Sequence, residues 1–224
     1  GSVALVLLGV LGCGGGAHEE AAASPRSTRP LAPELREVAR AVEEQRFEDG
    51  RELARKYVAA HPRDGQGHYI QGMTYYWTGN FGAARAGLER ALELEPGITI
   101  AHESLGYCLF MLGDLGGARR EYEAYLALAP REPKGQYGLG LVELEEARLA
   151  EAEARFRRAI ELFDALDRRA LAARQPELAE CHARLGEVHF ARAEFEAARA
   201  ELLIATTLCP GNISAFYTLS LVHR

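Results

Sequence analysis

Tyr57-Val58-Ala59-Ala60-His61-Pro62, Ala91-Leu92-Glu93-Leu94-Glu95-Pro96 and Tyr125-Leu126-Ala127-Leu128-Ala129-Pro130 each end in a proline, and the prolines are 34 residues apart. Every stretch is an apolar helical run closed by a residue that lacks an N–H and disfavours helix just before itself. Three helices therefore stop at the same phase of one period, and a fixed period decides the fold. Other positions keep the same register. Gly72, Gly106, Gly140 and Gly186 each fall inside the first helix of a unit. A glycine there costs about 1 kcal/mol against alanine, so its reuse points to two helices in close approach. Further on come the large residues Phe81, Leu115, Leu149 and Phe195, then the small Ala84, Ala118, Ala152 and Ala198. Large followed by small at fixed spacing is what interdigitating helix pairs require. Gly79 and Gly113 mark the turn between the two helices.

The composition agrees. The chain has 224 residues, 48% hydrophobic and 26% charged, enough for a sizeable core. Ala, Leu, Glu and Arg dominate, all strong helix formers. No stretch alternates apolar and polar residues with Val, Ile and Thr enriched, as a half-buried strand would. The expected class is all-α. The net charge of −6 comes from interleaved signs, which argues against nucleic acid as the main partner, because phosphate contacts need a clustered basic face.

The pattern resembles the tetratricopeptide repeat: a small residue in the first helix, an aromatic and an alanine in the second, proline at the end. Repeats are expected at 31–64, 65–98, 99–132, 133–166 and 179–212. The first is degenerate, with Gly50 where the small alanine falls. The fourth has Asp164 in place of its closing proline. An insertion at 167–178 (Asp167 to Leu178) is expected to lengthen the helices, with an irregularity at Gln175-Pro176. A partial sixth repeat runs over 213–224. The resemblance implies a right-handed α-solenoid of antiparallel helix pairs. A terminal helix should be polar on its outer face. Ile213-Ser214-Ala215-Phe216-Tyr217-Thr218-Leu219-Ser220-Leu221-Val222 is not, so either a partner covers it or the natural chain continues past Arg224.

The start of the chain carries a second signal. Val3-Ala4-Leu5-Val6-Leu7-Leu8-Gly9-Val10-Leu11 is too short to span a bilayer as a helix and fits the apolar core of a secretory signal peptide. It runs into Gly12-Cys13, which resembles a bacterial lipobox. That resemblance implies lipidation at Cys13, with 1–13 as the signal and lipobox. Leu11 is bulkier than the usual residue at its place, and the alternative is an ordinary cleaved signal with an incidental Cys. Residues 14–30 are rich in Gly, Ala, Ser and Pro and read as a flexible tether. The expected location is the bacterial cell envelope.

In the tetratricopeptide family, groove-facing residues lie at the fifth, ninth, twelfth and thirteenth places of a repeat. Here these are Tyr69, Met73, Tyr76 and Trp77, then Glu103, Tyr107, Phe110 and Met111, then Tyr137, Leu141, Leu144 and Glu145, then Ala183, Glu187, Phe190 and Ala191. The only tryptophan and both methionines fall in this set, and aromatics and Met are enriched at interface cores. The partner-binding residues are therefore expected among Tyr69, Met73, Tyr76, Trp77, Glu103, Tyr107, Phe110, Met111, Tyr137, Leu141 and Leu144, although some of these side chains could instead pack between adjacent first helices. One subfamily clamps C-terminal carboxylates with Lys, Arg and Asn. The matching places here are Tyr69, Met73, Glu103 and Tyr107, with Lys134 the sole basic residue nearby, so an apolar, aromatic peptide or helix is the better guess.

Chemistry is sparse. Cys13, Cys108, Cys181 and Cys209 match no zinc spacing. A Cys181–Cys209 disulfide is conceivable, and Cys181-His182 with His189 is the best metal candidate, spread over two helical turns. No phosphate loop, HExxH or GxSxG occurs. Neither catalysis, a metal nor a cofactor is expected. The reading is a protein or peptide scaffold, lipid-anchored, resembling in layout the pilotin-like assembly lipoproteins of pili and secretion systems. The alternative is a module of a larger regulatory protein or enzyme.

Overall fold

The computed structural model describes residues 30–222, and the described residues form twelve α-helices and no strand. Cys13, its apolar run and most of the 14–30 segment lie outside them. Contacts divide the chain at Pro130 and Arg131 into two compact units.

The first unit holds α1 (Pro33–Glu43), α2 (Phe47–Ala60), α3 (Gly65–Tyr76), α4 (Phe81–Leu94), α5 (Thr99–Met111) and α6 (Leu115–Leu128). Each helix packs on the next. Leu35 and Val38 of α1, Ala84 and Leu88 of α4, and Leu105 and Cys108 of α5 are buried. Full burial of a leucine such as Leu88 stabilises by about 1.5–3 kcal/mol. The closest approach is between backbones. A Cβ on Gly87 would lie 2.9 Å from the Gly72 Cα, so both helices need a bare backbone there. At Gly106 the space is taken by the Tyr122 ring, 3.1 Å from where a Cβ would stand.

Every hairpin turns in the same way. Gln45, Gly79, Gly113, Ala147 and Ala193 all have positive φ, between 58° and 82°. The next N–H bonds back across the helix end: Asn80 to the Tyr75 carbonyl at 3.0 Å, Asp114 to Leu109 at 2.9 Å, Arg148 to Glu143 at 2.8 Å. This satisfies carbonyls the helix would otherwise leave open. Asn80 and Asp114 then cap the following helix, accepting from the Ala83 and Gly117 N–H groups at 3.2 and 2.8 Å. Gln45, Ala147 and Ala193 hold the left-handed position without glycine, at a cost on the order of 1 kcal/mol each.

The second unit holds α7 (Pro133–Glu145), α8 (Leu149–Asp164), the short α9 (Arg168–Ala173), α10 (Gln175–Ala191), α11 (Phe195–Leu208) and α12 (Ile213–Val222). A Cβ on Gly140 would meet the Phe156 ring at 2.6 Å, and one on Gly186 would meet Leu202 at 2.7 Å. The α8–α10 connection is built around Asp167, which caps α9 through the Arg169 and Ala170 N–H groups at 2.9 Å. Pro176 lies in the first turn of α10, where its missing N–H costs nothing. Arg174 closes the joint. Its guanidinium lies 5.0 Å over the Phe163 ring and pairs with Glu177 at 2.7 Å and Glu132 at 3.1 Å. In α12, Ser214, Ala215 and Thr218 are buried, while Ile213, Phe216 and Tyr217 are about half exposed. Ser220 takes the register place of Gly186, 34 residues earlier.

Candidate functional site

In the first unit the expected partner residues lie on α3, its end and α5. Met111, Tyr76, Trp77, Glu103 and Tyr107 are half-buried and can touch a partner. Tyr69, Met73 and Phe110 are buried and offer almost no contact area, which corrects their expected place on the surface. The reason is that α3 also packs on α5, so the places nearest that contact are drawn inside.

The aromatic residues among these form one group. The Tyr76 ring lies 5.2 Å from Trp77, 5.6 Å from Tyr107 and 6.1 Å from Phe81. Phe81 lies 5.9 Å from Tyr107. Most of these pairs are edge-to-face, the arrangement the ring quadrupoles favour. Phe81 was not among the expected residues. As the first residue of α4 it reads from sequence as packing within its own repeat, and it packs there while its edge joins the group.

Glu103, one helical turn before Tyr107, sets the electrostatics. Burial, and then the Glu103 carboxylate, push the Tyr69, Tyr76 and Tyr122 hydroxyls above the usual tyrosine range. The same two causes push the Cys108 thiol up to about 12. Cys108 therefore stays protonated at neutral pH and is no nucleophile. The Tyr69 hydroxyl is buried with the Ser104 side chain as its polar neighbour. Ser104 donates to Glu103 Oε2 at 3.5 Å.

In the second unit Tyr137 and Leu144 of α7 are partly buried, and Leu141 of the same helix is buried, a second correction of the same kind. The Tyr137 ring lies 5.9 Å from Phe156, and its hydroxyl donates to Glu180 Oε1 at 3.4 Å. Glu180 belongs to a buried network that sequence reading missed. Arg184, only 1% exposed, donates to Glu180 at 2.6 Å and to Glu187 at 2.8 Å. Asn212 donates to Glu180 Oε2 at 3.0 Å, and Ser214 to Glu187 Oε1 at 3.0 Å. Burial works against the Arg184 charge, but Glu187 and then Glu180 outweigh it and hold the guanidinium well above its ordinary value. The signal was available: Glu180, Arg184 and Glu187 recur at helical spacing on what should be an apolar face. Of the other places named for the fifth repeat, Ala183 is buried, Phe190 lies 5.9 Å from Phe195, and Ala191 is exposed.

The remaining candidates are taken up locally. Lys134 pairs with Glu177 at 3.1 Å. His182 pairs with Glu201 and His189 with Glu194, each at 2.6 Å. Cys181 is a buried free thiol, so the conceivable Cys181–Cys209 disulfide is not made. Among the described residues no three His, Cys, Asp or Glu side chains converge as metal ligands, and no helix is long and apolar enough to cross a membrane.

Helical hairpins in one repeated register, with an aromatic group along the first helices, define a helical-repeat array. The tetratricopeptide repeat profile matches residues 35–86, 71–133 and 113–167, more than half of the chain. The chain belongs to the tetratricopeptide repeat family, whose fold serves as a protein–protein interaction scaffold. No curated protein matches it. Among solved structures it is similar to a chain of the APC/C hetero-tetramer Cut9-Hcn1, at a TM-score of 0.74 and 17% identity, over 98% of this chain and 39% of that one. The chain thus spans well under half the length of that relative. It is similar to YrrB, described as a tetratricopeptide repeat protein with an unusual peptide-binding site, at 0.62 and 17% identity, over 91% of this chain and 98% of that one. It is also similar to PilF of Pseudomonas aeruginosa, at 0.64 and 14% identity, over 84% of this chain and 86% of that one. At these identities the likeness is one of fold.

Proposed function

We propose that the chain is a non-catalytic scaffold that holds a partner protein or peptide on the aromatic face of its first unit, with Tyr76, Trp77, Tyr107 and Met111 as anchors. The observation that carries this is the clustering of partly exposed aromatic rings on α3, its C-terminal end and α5. A folded chain gains by burying such rings, and rings left partly in water side by side offer a partner contact area at low entropic cost. Tyr69, Met73 and Phe110 lie on the same two helices and are buried. Tyr137 and Leu144 form a lesser face on the second unit. The fold shared with YrrB supports peptide holding.

The scaffold is tethered to a bacterial envelope through a lipidated Cys13 and acts as an assembly factor of pilotin type. The Gly12-Cys13 junction after nine apolar residues supports the anchor, and the fold shared with PilF is consistent with the role. Affinity capture of the partner from envelope extracts with Trp77→Ala and Tyr107→Ala tests the face. Each anchor should cost about 1–3 kcal/mol of binding, and undiminished recovery with both would sink the assignment. Mass spectrometry of the membrane fraction with and without Cys13→Ser tests the anchor. An unmodified Cys13 would remove it.

A further inference from the structure

We infer that the outer face of α12 seats the same face of a second copy of this chain, in an antiparallel two-fold pair that closes around Phe216 and Ser220. The face belongs to the second unit and is separate from the aromatic group proposed to hold a partner. The first observation is where apolar side chains stay in water. Among the described residues, the large exposed ones are Leu112 and Leu128 on the first unit, against Phe195, Leu203, Ile204, Ile213, Phe216 and Tyr217 on α11 and α12. Leu203 and Ile204 stand where the repeat register has Glu89-Arg90 in the second repeat and Arg157-Arg158 in the fourth. That place is a solvated ionic face in those repeats, with Arg90 paired to Glu93 and Arg158 to Glu161, each at 2.7 Å. Apolar residues gathered where other repeats carry ion pairs mark an interaction surface.

The second observation is a large and a small place on one stripe. Gly106, Gly140 and Gly186 each receive a bulky side chain of the facing helix: Tyr122, Phe156 and Leu202. Ser220 holds the same register place in α12 and is exposed, and Phe216, one turn earlier, is 48% exposed. A face that carries both halves of a contact fits its own copy, because a two-fold axis makes the contact twice. With the axis at the level of Thr218, Phe216 of each copy lies over Ser220 of the other. The third observation is charge. No charged residue occurs from Pro210 to Val222, so two copies meet there without like-charge repulsion although each chain carries −6. End-to-end stacking of copies is disfavoured instead, since α1 exposes Glu34, Arg36, Glu37 and Arg40, which would lose water against the apolar α12.

Sedimentation equilibrium of the full chain, under reducing conditions, tests the pairing. It should show a monomer–dimer equilibrium with a dissociation constant on the order of micromolar. Phe216→Ser should weaken the dimer about a hundredfold, because each dimer loses the contact twice. Ser220→Arg changes an exposed side chain and should abolish the dimer with helix content by circular dichroism unchanged. The exchange variant, Phe216→Ser with Ser220→Phe, should recover the dimer, because the large and small places trade positions along the same face. A chain that stays monomeric at about 100 μM, well above a micromolar constant, overturns the inference and leaves the face to a helix of another protein. A dimer that survives Ser220→Arg, or an exchange variant no better than Phe216→Ser alone, also overturns it. The holding role stands or falls separately, on capture of its partner by the aromatic face.

Discussion

The two units use one repeat register to build different interiors. In residues 30–130 the second and third repeats are closed by small residues and tyrosines: Gly72 against Gly87, and Gly106 against Tyr122. In residues 131–222 the equivalent contacts are Gly140 with Phe156 and Gly186 with Leu202, but a charged network is buried beside them. Arg184 links two glutamates of its own helix, and these reach Tyr137 on α7 and Asn212 and Ser214 at the start of α12. Arg174 does the same for the inserted joint. Apolar contacts tolerate small shifts, whereas an ionic network is favourable only when every member is matched. The second unit therefore depends on charge where the first depends on fit.

The sharpest way to break that contrast is Arg184→Met, which keeps the volume and leaves Glu180 and Glu187 without their cation. It should destabilise by about 3–5 kcal/mol. Hydrogen-exchange protection should fall across 133–222 and stay unchanged over 33–128. Equal losses in both units would show that the network is not local to the second.

Gly140→Ala comes next. Its Cβ would lie 2.6 Å from a Phe156 ring that is fully buried, and the strain should cost about 1–3 kcal/mol in denaturant titration. Adding Phe156→Leu should return part of it, because the two sites share one contact. A purely additive pair would refute the packing account.

A smaller effect separates the units by pH. Burial raises the Glu177 carboxyl, but Lys134 and then Arg174 outweigh it and hold it below the ordinary 4.5. A depressed carboxyl contributes stability that is present above its unfolded value and is lost as pH falls through the folded one. The α9 joint should therefore loosen first below about pH 4.5, measured as proteolytic nicking between α8 and α10. The tyrosines behave in the opposite sense. Those pushed up by burial favour the folded chain below the ordinary 10.0 and lose that contribution as pH rises through their folded values. A tyrosinate absorbance titration should show a late-ionising set, reduced in Tyr76→Phe.

The smallest effect has the opposite sign. Ala147 holds a turn position where the first unit has Gly79 and Gly113. Ala147→Gly relieves the left-handed strain and should stabilise by about 0.5–1 kcal/mol in the same denaturant titration. A loss of stability would show that the turn is not strained.

Much of this was legible in the chain. The proline period located the ends of the second helices. The repeated glycine was correctly read as close approach, because only an absent Cβ explains paying the helix-propensity penalty four times. Gly79 and Gly113 announced the turn, but Gln45, Ala147 and Ala193 adopt the same backbone without any residue-level sign. The site was half legible. The register named the helices that carry the aromatic group but could not tell Tyr76 and Tyr107, which are partly exposed, from Tyr69 and Phe110, which are buried. That distinction depends on how closely α3 approaches α5, a contact between residues some 34 apart.

Sequence alone determined the periodic features: helix phase, turn places and the small–large pairing. These are local or repeat-to-repeat properties, and an error in any of them would break every repeat at once. Tertiary structure decided which aromatics meet, with Phe81 joining Tyr76 and Tyr107, and which polar residues go inside, with Glu180, Arg184, Asn212 and Ser214 buried together. Burial depends on the neighbours a side chain acquires once helices pack, and for a charged group on whether those neighbours carry its partner.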